Sequence, residues 1–144
     1  MQTTWDGWPV ATEPPIGATV AVWRERDGVR GWLVLHRGHH GPDYAGDWAW
    51  TPPAGARFPG EEIDACGRRE LLEETGLVLP VEPVDVAREW ALYVARAPAD
   101  ASITLDGEHD RFAWLPLDEA CARCLPAVVA AGLRSIAQSS LSET

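Results

Sequence analysis

The order of predicted elements, which runs from strands to one helix, more strands and two final helices, indicates an α/β or α+β sandwich. The chain has 144 residues, of which 46% are hydrophobic and 24% charged. This size and composition are typical of one globular domain with its own core. No apolar run approaches the roughly 20 residues that a membrane-spanning helix needs.

Turn and breaker residues justify the elements of the first half. These elements are an irregular arm at 1–16, strands at 17–24 and 29–36, a short extended segment at 48–51 and a helix at 61–75. Asp27-Gly28 is a turn signal, so the two strands should form a hairpin. The segments 38–47 and 52–60 are rich in glycine and proline and are predicted as loops. Gly76 is placed to end the helix.

The second half is predicted from apolar runs and from the position of its prolines. Its elements are a short apolar segment at 77–79, one long strand at 84–96, short strands at 103–105 and 112–115, helices at 118–124 and 127–138, and a tail at 139–144. Pro126 should open the last helix, because proline is favoured at the first helical position.

The net charge limits the kinds of partner that are expected, and the cysteine count bears on the expected compartment. The chain carries 22 acidic and 12 basic residues, for a formal net charge of −10. So acidic a chain is a poor general binder of nucleic acids or of anionic membranes. An anionic substrate would therefore need a bridging divalent cation. No secretory signal is visible, and three cysteines give no disulfide framework, which favours a cytoplasmic setting.

Three glutamates on the 61–75 helix are the first candidates for chemistry. Glu70, Glu73 and Glu74 fall within an arc of about 100°, because successive helical residues are about 100° apart. They share the apolar side of the helix, whereas the charged residues of an ordinary surface helix would lie on the opposite, solvated face. Clustered carboxylates suit Mg²⁺ or Mn²⁺. A surface helix with ion pairs such as Arg69–Glu73 is the alternative, and the glutamates alone leave both open.

The flanking residues decide between these two interpretations. From Gly55 the chain reads GARFPGEEIDACGRRELLEETGL, which resembles the Nudix box, G-x5-E-x7-R-E-U-x-E-E-x-G-U with U apolar. The nine specified positions are all filled, by Gly55, Glu61, Arg69, Glu70, Leu71, Glu73, Glu74, Gly76 and Leu77. A chance match in so short a chain is rarer than about one in a million. The strands around the box fit the family's α/β/α sandwich with a mixed sheet, over a single domain at 17–138.

The resemblance implies a metal-dependent pyrophosphohydrolase. Nudix enzymes cleave a phosphoanhydride bond in a nucleoside diphosphate linked to another moiety, such as a nucleoside triphosphate or a dinucleoside polyphosphate. Glu70, Glu73 and Glu74 match the box carboxylates that bind the cation, Mg²⁺ or Mn²⁺. Arg69 matches the arginine that orients them, and Gly55 lies where the loop backbone reaches the metal. A small nucleotide is the implied partner, and a homodimer is an analogy with relatives.

Residues outside the box are weaker candidates. Glu108 precedes an aromatic strand, as does a glutamate that serves many family members as an extra metal ligand or general base; otherwise it is an exposed loop carboxylate. Arg37 ends the second strand and could hold a phosphate. Trp48 and Trp50 flank the metal loop, where aromatic planes can stack a base. Tyr93 lies near the spacing of a tyrosine that marks the diadenosine polyphosphate subgroup.

Other positions lead to expectations about packing and exposure, or depart from the family's pattern. Cys66 and Gly67 stand where many members have two alanines, and Gly67 is expected to allow close approach of another backbone. The subgroup's Pro-Lys-Gly reads Pro53-Ala54-Gly55 here. His39 and His40 are expected to be exposed or to lie on a substrate-side lid.

Two other classes of function remain as alternatives. A non-catalytic Nudix-like module would bind a nucleotide as a sensor, although such modules usually lose box carboxylates and this chain keeps them all. A zinc or redox protein would use Cys121 and Cys124, a C-x-x-C pair. Zinc would need two more ligands, so two inert thiols inside a helix are the expected arrangement.

Overall fold

The described residues fold into a three-layer sandwich around one mixed sheet of seven strands. A computed structural model describes residue 7 and residues 9–142. The elements are β1 Gly17–Arg26, β2 Val29–Arg37, β3 Trp50–Thr51, β4 Ala54–Ala56, α1 Ile63–Thr75, β5 Glu82–Asp85, β6 Trp90–Arg96, β7 His109–Leu115, α2 Leu117–Arg123 and α3 Ala127–Ser142. The predicted α/β/α sandwich with a mixed sheet is confirmed.

Alternation along β1 builds a core on each side of the sheet. Ala18, Val20 and Val22 pack in the core beneath α1, while Ala21 and Trp23 pack in the core beneath α2 and α3. Successive strand residues point to opposite faces, so a strand covered by helices on both sides is apolar throughout. The sheet therefore presents one face to α1 and the other to the C-terminal helices.

The sheet opens where β1 begins and β2 ends. The two strands pair only near their turn, through Trp23–Arg26 and Val29–Trp32. Beyond this point β1 pairs with β4, and β2 pairs with β3 and β7. β6 runs parallel to β1, so its first residues reach the same edge. This edge, between α1 and α3, holds the candidate site.

The prediction of one long strand at 84–96 is wrong, because the chain turns back within this segment. β5 and β6 are two antiparallel strands, and residues 86–89 connect them. Asp85 accepts a hydrogen bond at Oδ1 from the backbone N–H of Ala87, at 3.1 Å, which is an Asx turn. The sequence hides this turn because Val86 and Ala87 are compatible with a strand.

Smaller differences lie in the loops and at the ends of elements. No strand forms at 103–105, where Thr104 donates its N–H to Thr75 O at 2.8 Å. β4 lies within the predicted loop at 52–60, and α3 continues to Ser142, beyond the predicted end at 138. Gly67 faces the side chains of Val20 and Tyr93, so its expected contact with another backbone is wrong.

The described part of the predicted arm is fixed to the domain. Ala11 N–H donates to Arg57 O at 2.7 Å. The Arg57 guanidinium donates to the carbonyls of Glu13 and Pro15 at 2.8 and 2.6 Å. Residues 1–6 and 8 of the arm, and 143–144 of the tail, lie outside the described residues, so the division at 16 and 138 stays a prediction. Within 7 and 9–142, no helix is long and apolar enough to cross a membrane.

Candidate active site

Helix α1 places two of its glutamates inside the protein and one at the surface. Glu70 and Glu74 are only 9% and 4% exposed, whereas the side chain of Glu73 is 52% exposed. Leu71 and Thr75 lie on the same buried side. Gly76 ends the helix in the left-handed region with φ of 75° and returns its N–H to Leu72 O. Glu70 and Glu74 are thus on the apolar side, as predicted, and Glu73 lies at its rim.

Arg69 aligns the carboxylates around it. Its Nε and Nη2 donate to the two oxygens of Glu61 at 2.8 and 2.9 Å. Its Nη1 donates to Glu70 at 2.7 Å and to Glu73 at 3.2 Å, and Nη2 also reaches Ala56 O at 2.9 Å. A bidentate guanidinium fixes orientation as well as charge. Arg69 therefore holds Glu70 and Glu73 in one arrangement.

Glu61 belongs to the frame of the site. Burial alone would raise the pKa of Glu61, but hydrogen bonds from Arg69 and from the Phe58 N–H outweigh it and leave the pKa below its usual value. Burial likewise disfavours the charge of Arg69, yet the carboxylates of Glu61 and Glu70 raise the Arg69 pKa. These contacts favour the ionised forms of both side chains, and the centroid of the Phe58 ring lies 3.9 Å from Cζ of Arg69.

Glu70 and Glu74 are two buried carboxyl groups whose pKa values are raised. Burial raises the pKa of Glu70 to about 7, although Arg69 opposes the shift. Burial and the neighbouring Glu70 raise the pKa of Glu74, and Asp106 and Glu108 add to this. The Ala54 N–H donates to Glu74 at 3.1 Å. Among the described residues, Glu74 has no ion-pair partner, so this end of the site attracts cations.

Gly55 makes room for the Glu70 carboxylate. A Cβ at Gly55 would lie 1.9 Å from Cδ of Glu70. The backbone cannot withdraw easily, since Gly55 pairs with Ala18 across β4 and β1. A glycine is required at this position because the carboxylate occupies the space of its side chain.

A cavity of about 720 Å³ begins at these carboxylates. Its acidic end is formed by Glu70, Glu73, Glu74, Asp106 and Glu108. Its apolar end is formed by Trp48, Trp90, Leu92, Val128, Val129 and Gly132. Ligand pockets of roughly 300–1,000 Å³ are usual for small molecules, so the cavity has the size for a nucleotide.

The family follows from a sequence model of the NUDIX domain, which matches residues 13–138. The chain belongs to the Nudix family. The match covers both the box and the strands around it, so it supports the family on more than the 23-residue motif.

Relatives of this Nudix chain include two curated proteins and a solved structure. An octanoyltransferase of Myxococcus xanthus is 29% identical over 84% of this chain and 36% of its own length. A bis(5'-nucleosyl)-tetraphosphatase of Rattus norvegicus is 36% identical over 50% of this chain and 58% of its own. The chain thus spans less than two thirds of either relative. A C. elegans Ap4A hydrolase structure has a TM-score of 0.71 at 22% identity, covering 89% of this chain and 99% of that one.

The structure of this Nudix chain places some of the predicted substrate residues at the cavity and others away from it. Arg37, Trp48 and Glu108 line the cavity. Trp50 does not: it is buried, and its ring meets that of His36 edge-on at 4.9 Å. Tyr93 does not either: it lies in the core beneath α1, and its hydroxyl donates to Asp64. Trp50 and Tyr93 are therefore not among the described residues that line the cavity.

Several residues that line the cavity were not predicted from the sequence. Arg88 and Trp90 follow the turn inside the supposed long strand, and no motif marks them. Val128, Val129 and Gly132 look like ordinary residues of an apolar helix.

The loop before β7 and the first residue of β7 carry a second group of side-chain atoms that could bind a metal ion in this Nudix chain. Asp106, Glu108 and His109 each offer one, all within 4.8 Å of one another. His109 is buried, and its Nδ1 lies 2.7 Å from Asp106 Oδ1. His39 and His40 are exposed, in line with expectation. His36 is fully buried, with its Nδ1 2.7 Å from Asp110 Oδ1.

The cysteines do not form a reactive centre. Cys66, Cys121 and Cys124 are all buried and free. Burial raises the pKa of Cys124 to about 12 and also raises the pKa of Cys121. Buried thiols with raised pKa values are poor nucleophiles and poor metal ligands. The described residues therefore favour the inert interpretation of the C-x-x-C pair.

Proposed function

We propose that this chain is a divalent-metal-dependent pyrophosphohydrolase that cleaves a phosphoanhydride bond in a nucleoside diphosphate linked to another moiety. One observation carries the proposal: Glu70, Glu73 and Glu74, oriented by Arg69, form one end of a cavity of about 720 Å³. Glu108, the fourth carboxylate that we assign to the site, lines the same cavity and helps to raise the pKa of Glu74.

The donor set fits Mg²⁺ or Mn²⁺. Both ions prefer oxygen ligands, often one or two carboxylates together with substrate phosphates. Glu70 and Glu74 are buried, and their pKa values are raised. A cation beside them would favour the charged forms of both carboxylates. Glu70, Glu73 and Glu74 would hold the ion, with the Gly55 backbone beside them. When bound, the cation neutralises phosphate charge and makes a bound water more acidic.

The chain's own residues supply orientation, charge and a proton acceptor. Arg69 keeps Glu70 and Glu73 in place. Arg37 and Arg88 line the cavity and have no ion-pair partner among the described residues, so they are free to bind phosphate oxygens. Positioning and charge stabilisation account for most of the catalysis in phosphoryl transfer. A carboxylate of the acidic end, Glu70 or Glu108, accepts the proton of the attacking water.

Dinucleoside polyphosphates are the first substrates to test, and nucleoside triphosphates the second. The support is the similarity of half the chain to a bis(5'-nucleosyl)-tetraphosphatase, together with the fold shared with an Ap4A hydrolase. The octanoyltransferase match covers only 36% of that protein.

The test is hydrolysis of a substrate panel in the presence of Mg²⁺, with products identified by mass spectrometry in ¹⁸O-labelled water. The panel holds diadenosine tetraphosphate, nucleoside triphosphates, ADP-ribose and a sugar nucleotide. We expect metal-dependent cleavage at a phosphoanhydride, reduced at least about a hundredfold by Glu73→Gln. Glu82→Gln, an exposed glutamate on β5, is the matched control. An absence of turnover for every compound, in active-site-titrated protein, would refute the proposal.

A non-catalytic nucleotide sensor is the second candidate. It is favoured only by the apolar end of the cavity, which would serve a sensor as well as an enzyme. Its signature in the same panel is an increase in Tm with one compound and no turnover of that compound.

A further inference from the structure

We propose that Arg57 is a positioning residue for the reaction: it ties segment 9–16 to the loop that carries Glu61, and so fixes the carboxylate that holds Arg69. The inference rests on the proposed function and deepens it. Neither Arg57 nor Glu61 is among the described residues that line the cavity. We therefore expect Arg57 to act on the reaction through Arg69 and not by contact with substrate.

The guanidinium of Arg57 is buried and donates its hydrogen bonds to backbone carbonyls. The side chain is only 8% exposed. Its Nε donates to Pro15 O at 2.6 Å and its Nη2 to Glu13 O at 2.8 Å. Its Nη1 donates to Glu61 O at 2.9 Å. Because the donors of a guanidinium form a rigid planar fork, one side chain joins two segments that are distant in the sequence.

Segment 9–16 also holds the backbone of Arg57. The Arg57 N–H donates to Ile16 O at 2.9 Å, and the Arg57 carbonyl accepts from the Ala11 N–H at 2.7 Å. Val10 and Ala11 are buried, so packing fixes the segment as well. The side chain of Arg57 thus extends from a fixed backbone toward Glu61.

Glu61 follows an exposed turn, so hydrogen bonds rather than packing place its backbone. Pro59 and Gly60 are exposed, and Gly60 lies in the left-handed region with φ of 78°. A Cβ at Gly60 would meet nothing within 4 Å. The Glu61 N–H donates to Phe58 O at 3.1 Å, and Arg57 binds the carbonyl of the same residue. Arg57 therefore helps to fix the point from which the Glu61 side chain extends.

Arg69 transmits the position of Glu61 to the site. The two carboxylate oxygens of Glu61 accept from Nε and Nη2 of Arg69 at 2.8 and 2.9 Å. Arg69 in turn donates to Glu70 and Glu73. A misplacement of about 1 Å at a reacting centre can cost about a hundredfold in rate. A shift of Glu61 should therefore change the arrangement of the carboxylates and lower kcat.

Two substitutions separate the planar fork of Arg57 from its charge. Arg57→Met removes both and leaves three carbonyls without this donor. Arg57→Lys keeps the charge, but one ammonium group cannot reproduce a planar fork. Arg134→Met is the matched control, since Arg134 is an exposed arginine on α3 that pairs with Asp118 at 3.3 Å.

The first measurement is steady-state kinetics with the compound of the panel that the wild type hydrolyses fastest, at a temperature at which each variant is folded by circular dichroism. We expect kcat to fall at least about tenfold in Arg57→Met and at least about threefold in Arg57→Lys, with KM within about threefold of wild type. Arg134→Met should match the wild type. If Arg57→Met does not fold, Arg57→Lys decides the kinetic test.

A double-mutant cycle with Glu61→Ala tests the route of the effect. Glu61→Ala keeps the carbonyl that Arg57 binds but removes both acceptors of Arg69. If Arg57 acts through this carboxylate, Arg57→Lys should change kcat by less than about twofold in the Glu61→Ala background.

The second measurement needs neither substrate nor metal. It follows hydrogen exchange of the Arg69 Nε–H, which donates to Glu61, by ¹⁵N NMR; Arg69→Lys identifies the signal, because that variant lacks it. We expect this exchange to accelerate at least about tenfold more in the Arg57 variants than the exchange of the buried amides of α1. A general loss of stability would accelerate both alike.

Three results would overturn the inference. The first is wild-type kcat in the Arg57 variants, or a raised KM without a change in kcat. The second is an equal fall of kcat with and without Glu61. The third is exchange at Arg69 that accelerates no more than exchange in α1. If the wild type hydrolyses no compound, the proposed catalysis is refuted, and the exchange measurement alone decides whether Arg57 fixes Glu61 and Arg69.

Discussion

Gly55→Ala is the substitution whose effect can be worked out most fully from the structure. The added Cβ would lie 1.9 Å from Cδ of Glu70. Because β4 is paired to β1 at this residue, the carboxylate must move, by about 1 Å or more. A misplacement of about 1 Å at a reacting centre can cost about a hundredfold in rate. We expect kcat/KM to fall by at least that factor.

Gly55→Ala should stay folded although it loses stability. The displaced group is the end of a flexible side chain, and the main loss is its 2.7 Å hydrogen bond from Arg69. A hydrogen bond to a charged group contributes about 1.5–3 kcal/mol, so Tm should fall by about 5–10 °C.

The assay compares Mg²⁺-dependent hydrolysis with thermal denaturation for two matched glycine substitutions. Gly67→Ala is the control, because its Cβ would lie 3.4 Å from Val20 Cγ2. Gly67 lies in α1, and Gly67→Ala should leave kcat/KM unchanged and stabilise the helix by about 0.5–1 kcal/mol. Wild-type kcat/KM in Gly55→Ala would refute the argument that the carboxylate needs this space.

Three further predictions concern Arg69, Glu74 and Cys121. Arg69→Lys cannot reproduce the bidentate contact with Glu61, so kcat should fall at least about tenfold and stability by about 1–3 kcal/mol, measured by steady-state kinetics and urea unfolding; unchanged kcat would contradict its orienting role. Burial raises the pKa values of Glu70 and Glu74, so the folded, metal-free chain binds more protons than the unfolded chain, and its stability should fall as pH rises from about 4 to 7. Glu74→Gln keeps an acceptor for the Ala54 N–H and should raise Tm in chelator at pH 8 but not at pH 4; an equal rise at both values would count against the electrostatic explanation. Cys121→Ser should retain full hydrolysis, and its loss would favour a thiol or zinc mechanism.

The positions of the box residues could be predicted from the sequence because they depend on local geometry, whereas the roles expected of them came from the resemblance to the Nudix box. The helical repeat places Glu70 and Glu74 on one side of α1. Glu73, one residue before Glu74, is rotated from it by about 100° and lies at the rim of that side. Gly55 follows from its fixed spacing to the helix, although only the packed structure shows that the Glu70 carboxylate is what excludes a side chain there.

The remaining cavity residues depend on contacts between distant elements. Alternation on β6 shows that Leu92 and Tyr93 face opposite sides, but the sequence does not say which side holds the cavity, and Tyr93 lies on the other side, in the core beneath α1. Trp50 also lies away from the cavity, because its proximity to the loop in sequence does not reveal its burial against His36. The turn at 86–89 depends on one Asx hydrogen bond, from Ala87 to Asp85.

The central claim is that the carboxylates aligned by Arg69 hold a divalent cation that hydrolysis requires. The most direct measurement is a Mg²⁺ titration of diadenosine tetraphosphate hydrolysis, with wild type and Glu73→Gln measured side by side after chelation. We predict no turnover without metal, saturable activation of the wild type, and a loss of at least about a hundredfold in the variant at every Mg²⁺ concentration. Hydrolysis that persists in chelator, or that is equal in the two proteins, would contradict the claim.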